Sequence, residues 1–227
     1  MGWDRLYVIW REPQTGRRHC IGELWRINVG YAFGYNLTEC PWGNNGHFDI
    51  LPEFPDTTRS IENPYTSKHL FPTFSQRIPS PKRPDFDKLM HLWGVESPDD
   101  ALEILGVSGG MQATDQLELA DYRTIDDDLS RPLIFRLAGA QHYPHSEAVH
   151  TGEHLQLRRD YENQYDRYAT KVEAAHGIQI GWVPRQYSEL VATRVEMNID
   201  LTLVILRRLP LVSEKDRWLL HLSRSSG

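Results

Sequence analysis

At 227 residues, 40% hydrophobic and 11% aromatic, the chain has apolar material for one or two modest cores but not for a large multidomain enzyme. No apolar run approaches the twenty residues a bilayer span needs, the start Met-Gly-Trp-Asp-Arg lacks the pattern of a signal peptide, and Cys20 and Cys40 fit a reducing cytoplasm better than a disulfide scaffold. The net charge of −6 is split, with 12 Lys/Arg against 20 Asp/Glu in residues 1–130 and 13 against 11 in residues 131–227. The acidic half suits a basic protein partner and the mildly basic half is compatible with nucleic acid, although ordinary surface charge explains the split equally well.

In chain order, residues 5–10, 19–27 and 31–35 alternate as three strands of a meander, the first two joined by the turn-rich segment 11–18. From Pro41 to Pro84 the density of Pro, Gly, Asn and Ser with scattered aromatics predicts ordered loop packed on a small sheet. Phe86, Leu89, Met90 and Trp93 recur at helical spacing and end at Gly94. A second helix is predicted to start from Ser97 as N-cap, with Pro98 in its first turn, and to stop at Gly106. Residues 111–119 read as a closing strand, and the acidic run 121–131, ended by Pro132, as a linker. Beyond it, strands are expected over 133–140, 154–160, 169–175, 178–184 and 200–209, with one helix over 185–197. The expected fold is an α+β N-terminal module over 1–120, with a small antiparallel sheet and two helices. A mainly-β, OB-like barrel with one helix and a C-terminal tail follows over 132–227.

Several segments of the second half fall in a familiar order: Gly139 to Tyr143, the leucine strand Gly152 to Leu157, Arg159 and Asp160, the turn Asn163-Gln164-Tyr165-Asp166, Ala169 with Val172, and Gly181-Trp182-Val183-Pro184. Together, over about residues 132–210, they resemble the HIRAN domain. The sequence departs from that pattern at Gln164, where proline is usual, and at Gln141, where the best-studied branch carries a basic residue beside an aromatic.

The resemblance implies binding to the end of a nucleic-acid strand, above all a single-stranded DNA 3′ end. The residues agree chemically. Tyr165, Tyr143 and Trp182 offer rings for stacking, worth about 1–3 kcal/mol per base. Asp166 would repel phosphates yet accept a hydrogen bond from a terminal hydroxyl. Asn163 can donate and accept at a base edge, Arg158, Arg159 and Arg185 can hold the backbone, and Gln141 and His142 complete the expected contact set beside Tyr143. Each has a plainer role too: Asn163 and Asp166 as turn caps, and the rings as packing.

In the first half, Gly22-Glu23-Leu24, Phe33 and Tyr35, then Leu102, Leu105, Gly109, Gly110 and Leu117 resemble the N-terminal domain of HipA-type kinases over about residues 5–120. The kinase half is not seen: no catalytic-loop Asp with a following Asn and no Asp-Phe-Gly-like triplet comes after it. The resemblance implies a HipA-type kinase as a partner in trans, restrained by an antitoxin-like protein.

Gly106-Val107-Ser108-Gly109-Gly110 spells Gly-x-Ser-x-Gly, but it follows a predicted helix and precedes a strand, the reverse of the strand-turn-helix order of a nucleophile elbow. No Gly-x-x-x-x-Gly-Lys-[Ser/Thr] loop occurs, and the neighbouring carboxylates Asp99 and Asp100 diverge rather than converge on a substrate. His142, His145, His150 and His154 include pairs three and four apart, but the segment has no helical pattern, so they read as solvated loop residues rather than metal ligands. The expectation is a non-catalytic cytoplasmic protein without cofactor or metal. Two alternatives stand beside it: an interaction protein of toxin–antitoxin or phage-defence type whose HIRAN domain no longer binds DNA, and a hydrolase whose site is assembled from distant residues.

Overall fold

The computed structural model describes residues 3–14, 18–37, 50–112, 114–144, 148–209 and 218–225. The chain divides into two compact units, Met1–Tyr122 and Arg123–Gly227, inside the acidic stretch expected to be a linker.

In the first unit, β1 (Arg5–Arg11), β2 (Arg18–Ile27) and β3 (Gly30–Tyr35) form the expected meander. A short β4 (Tyr65–Ser67) and β5 (Leu117–Asp121) flank it, so the antiparallel sheet runs β4-β3-β2-β1-β5. Leu6, Val8, Leu24 and Phe33 share its buried face, as alternation requires. The proline-rich middle packs onto that face through aromatic rings, with Phe54 4.4 Å from Phe33 and 5.0 Å from Phe71, centroid to centroid. Tyr35 ties the same loop down by donating its hydroxyl to the Phe54 carbonyl at 2.9 Å. This segment also contains regular structure that its composition hid: β4, and a single helical turn, α1 (Pro72–Ser75). Residues 41–49 of it lie outside the described chain.

Helix α2 (Phe86–Trp93) ends at Gly94 in the left-handed region, φ 73°, as expected. Helix α3 (Ala101–Ser108) corrects both expected ends. Its N-cap is Asp100, whose Oδ1 accepts from the N–H groups of Leu102 at 2.9 Å and Glu103 at 3.2 Å. Ser97 is outside the helix because its own N–H donates to the Glu103 carboxylate. The stop is Gly109, φ 76°, whereas Gly106 stays helical: a Cβ there would collide with the Trp3 ring, so the absent side chain serves packing rather than termination.

The second unit is mostly β. Its strands are β6 (Leu133–Arg136), β7 (His154–Arg159), β8 (Thr170–Ala174), β9 (Ile178–Trp182), β10 (Leu201–Arg208) and β11 (Trp218–Arg224). They form one antiparallel sheet in the order β6-β11-β10-β7-β8-β9. The sheet curls into a half-barrel whose two ends meet at one bridge: Ala138 and Trp182 exchange backbone hydrogen bonds of 3.0 and 2.9 Å. Helix α4 (Arg185–Glu196) packs against β7 and β8 and buries Tyr187, Leu190 and Val191. Two expectations are corrected here. The predicted strand over 133–140 ends at Arg136, since Gly139 (φ 71°) turns the chain into a 3₁₀ turn, Ala140–His142. The supposed C-terminal tail contains β11, a central strand with Leu220 and Leu222 fully buried. Among the described residues no helix is long and apolar enough to cross a membrane.

Candidate nucleic-acid interface

Strands β7, β8 and β9 carry a composite surface on the side away from the leucine core. Arg158 lies opposite Lys171, and Lys171 opposite Trp182, so the three side chains form one row across the strands. Lys171 is central: its Nζ is 5.8 Å from the Trp182 ring centroid and 3.5 Å from Asp160 Oδ1. Sequence reasoning missed Lys171, because on a strand pattern it is one more outward polar residue; only the register brings it between Trp182 and Asp160.

Tyr143 joins this surface from the chain after the 3₁₀ turn. Its hydroxyl oxygen accepts from Gln179 Nε2 and from Trp182 Nε1, each at 2.8 Å. Burial holds the Tyr143 phenol above its ordinary value, with the Asp160 charge acting in the same sense and the Trp182 hydrogen bond opposing it. Gln179 is a second contributor that sequence reasoning did not find. Gln141 and His142 are exposed and 2.9 Å apart.

The connection between β7 and β8 answers why the chain spends an Asn-x-Tyr-Asp sequence on a turn. Asn163 Oδ1 accepts from the N–H groups of Tyr165 and Asp166, both at 3.0 Å, and Asp166 Oδ1 accepts from Tyr168 N at 2.8 Å. Two successive Asx-type turns therefore hold the loop without the proline expected at Gln164. They leave Tyr165 81% exposed, which removes the reading of Tyr165 as core packing. Asp166 is half-buried, and one oxygen, Oδ2, has no hydrogen-bond partner among the described residues.

Of the three arginines expected to hold a strand, Arg158 and Arg185 are exposed. Arg159 is not available. Its side chain is 6% exposed, pairs with Glu196 at 2.8 Å, and donates to the carbonyls of Ala169 and Arg167. It clamps the turn onto α4, a role that outweighs phosphate contact because each of its three guanidinium nitrogens already has an acceptor. The structure thus brings together Tyr143, Trp182 and Lys171, places Asn163, Tyr165 and Asp166 on the adjoining turn, and commits Arg159 to the fold. Among the described residues no group of three His, Cys, Asp or Glu side chains could hold a metal ion; His145, one of the four histidines weighed for this, lies outside them.

Residues 132–215 match the family model of the HIRAN domain. The chain is similar to the crystal structure of the HIRAN domain of human HLTF, at 23% identity over 41% of this chain and 74% of that one, with a TM-score of 0.35. It is also similar to a crystallised protein from Lactobacillus plantarum, at 20% identity over 40% of this chain and 89% of that one, TM-score 0.35. An NMR structure of the HLTF HIRAN domain in its DNA-bound conformation matches at 24% identity over 44% and 78% of the respective chains, TM-score 0.32. No match is found among curated proteins.

Proposed function

We propose that the HIRAN segment binds the 3′ end of single-stranded DNA. The observation that carries this reading is the double Asx turn, which holds an exposed ring, Tyr165, beside a carboxylate with one open oxygen, Asp166. A ring presented to solvent on a rigid support stacks on a terminal base at low entropic cost. The carboxylate accepts a hydrogen bond from a free hydroxyl and repels a phosphate at the same place. The family match supports the choice of nucleic acid as ligand. Anisotropy titration of matched oligonucleotides ending in 3′-hydroxyl or 3′-phosphate tests it. The wild type should prefer the hydroxyl end about tenfold or more, in keeping with a hydrogen bond to a charged group. Asp166→Asn should lose most of that preference while still binding. Equal affinity of the wild type for the two ends contradicts the proposal.

On the residues that resemble the HipA-type N-terminal domain, we read the first unit as the docking module for a HipA-type kinase in trans, and the whole protein as an antitoxin-like regulator without a catalytic centre of its own. Co-purification from the native host should recover such a kinase with the intact chain and lose it when residues 1–120 are deleted.

A further inference from the structure

Tyr143 and Trp182 enter the strand-end reading as two rings for stacking, but their hydrogen bonds divide the labour differently. The Tyr143 oxygen accepts from both Gln179 Nε2 and Trp182 Nε1. Gln179 Nε2 also lies 3.3 Å from the Gly181 carbonyl, which can only accept, so the amide is oriented with its nitrogen toward the phenol. With both lone pairs occupied, the phenol keeps a single free capacity, its own proton. Among the described residues no acceptor receives it, and the side chain is only half-buried.

Trp182, in turn, is poorly placed to act as a platform. Its Nε1 is committed to Tyr143, and Lys171 Nζ stands over its ring. Its Cδ1 edge lies so close to Gly139 that a Cβ there would approach within 3.2 Å. Lys171 places its positive charge over the indole whose Nε1 donates to Tyr143, and a phenol oxygen that receives two N–H donors gives its own proton most strongly to an anionic acceptor rather than a base carbonyl. Along a polynucleotide that acceptor is a nonbridging phosphate oxygen. The site adjoins the strand-end turn through Asp160, which pairs with Lys171 and whose carbonyl receives the Asn163 N–H at 3.4 Å.

We propose that Tyr143 donates its hydroxyl proton to a nonbridging oxygen of the last phosphodiester before the strand end, and that Trp182 is a positioning residue that aims it. This rests on the strand-end reading and adds a named contact to it. The charges the contact meets are Asp160, which acts on the phenol, and Lys171, which is paired with Asp160.

The test is a cycle of two changes, Tyr143→Phe in the full chain and a methylphosphonate at the last linkage of a 3′-hydroxyl oligonucleotide, read by anisotropy. Tyr143→Phe keeps the ring and should weaken binding of the natural strand about tenfold or more, as expected for a hydrogen bond to a charged acceptor. The methylphosphonate should weaken wild-type binding strongly and cost Tyr143→Phe several-fold less. Trp182→Phe, checked for folding by thermal melting, should show the same reduced sensitivity to the methylphosphonate; if it does not fold, Tyr143→Phe decides alone. Wild-type affinity in Tyr143→Phe, an undiminished methylphosphonate effect in that variant, or an undiminished effect in a folded Trp182→Phe overturns the proposal. A wild type that prefers hydroxyl ends while Tyr143→Phe binds equally well removes this contact and leaves the strand-end reading standing. A wild type that binds no strand removes both.

Discussion

Tyr165 and Arg159 show how far residue type alone can carry a functional argument. Both were legible as candidates, an aromatic in a turn and a cation at the end of the preceding strand, but their exposures of 81% for the residue and 6% for the side chain send them to opposite roles. Tyr165→Ala should therefore leave the melting temperature nearly unchanged and weaken strand binding by about 1–3 kcal/mol, the worth of one stacked base. Arg159→Ala should do the reverse. Loss of its ion pair and two carbonyl contacts should destabilise the second unit by on the order of 2–3 kcal/mol in denaturant titration. Arg158, with 73% of its side chain exposed, should when changed to Ala lower the salt slope of binding by about one charge and leave folding untouched. Asn163 and Asp166 were legible as turn caps and as ligand groups at once. The two roles coexist, since each carboxamide or carboxylate oxygen that caps the turn fixes what the side chain presents. Lys171 and Gln179 were illegible for a different reason: their importance comes from strand register, which the sequence of a single strand does not encode.

At the scale of elements, strands β1 to β3, helix α4 and the five expected strands of the second unit were readable because each carries its own alternation or helical spacing and its own stop signal. The misreadings share a cause. The start of α3 shifted to Asp100 because the Glu103 carboxylate takes the Ser97 N–H, a contact six residues apart that local pattern does not reveal. Strand β11 was read as tail because Trp-Leu-Leu-His-Leu alternates poorly; its apolar residues occupy consecutive positions, as in a strand covered on more than one side. It nonetheless pairs with both β6 and β10. Leu220→Ala, at a fully buried position of that strand, should cost about 2–5 kcal/mol of stability, measured by urea unfolding of the full chain. A near-neutral result would place β11 at the periphery after all. Glycine also served packing at this scale: a Cβ on Gly181 would stand 2.6 Å from Leu137 Cγ, so the glycine lets β9 reach the Ala138 bridge that joins the ends of the half-barrel.

At the scale of the whole molecule, the charge split between the halves falls close to the boundary between the two units. The candidate interface on the second unit is not strongly basic, because Lys171 is paired with Asp160 and Arg158 faces Glu173 at 3.9 Å. Such a surface gains little from the phosphates of a continuous strand, and on the proposed reading its energy comes from stacking, from the terminal hydroxyl and from the one phosphate contact at Tyr143. That distinguishes an end reader from a general single-strand binder, which tracks the backbone through a positive groove. The most direct test compares a circular single strand, which has no ends, with the same sequence linearised to expose a 3′-hydroxyl, both competing for the full-length protein against a labelled oligonucleotide. The linear strand should compete and the circle should not, whereas equal competition by the two would contradict the claim that this fold recognises a terminus.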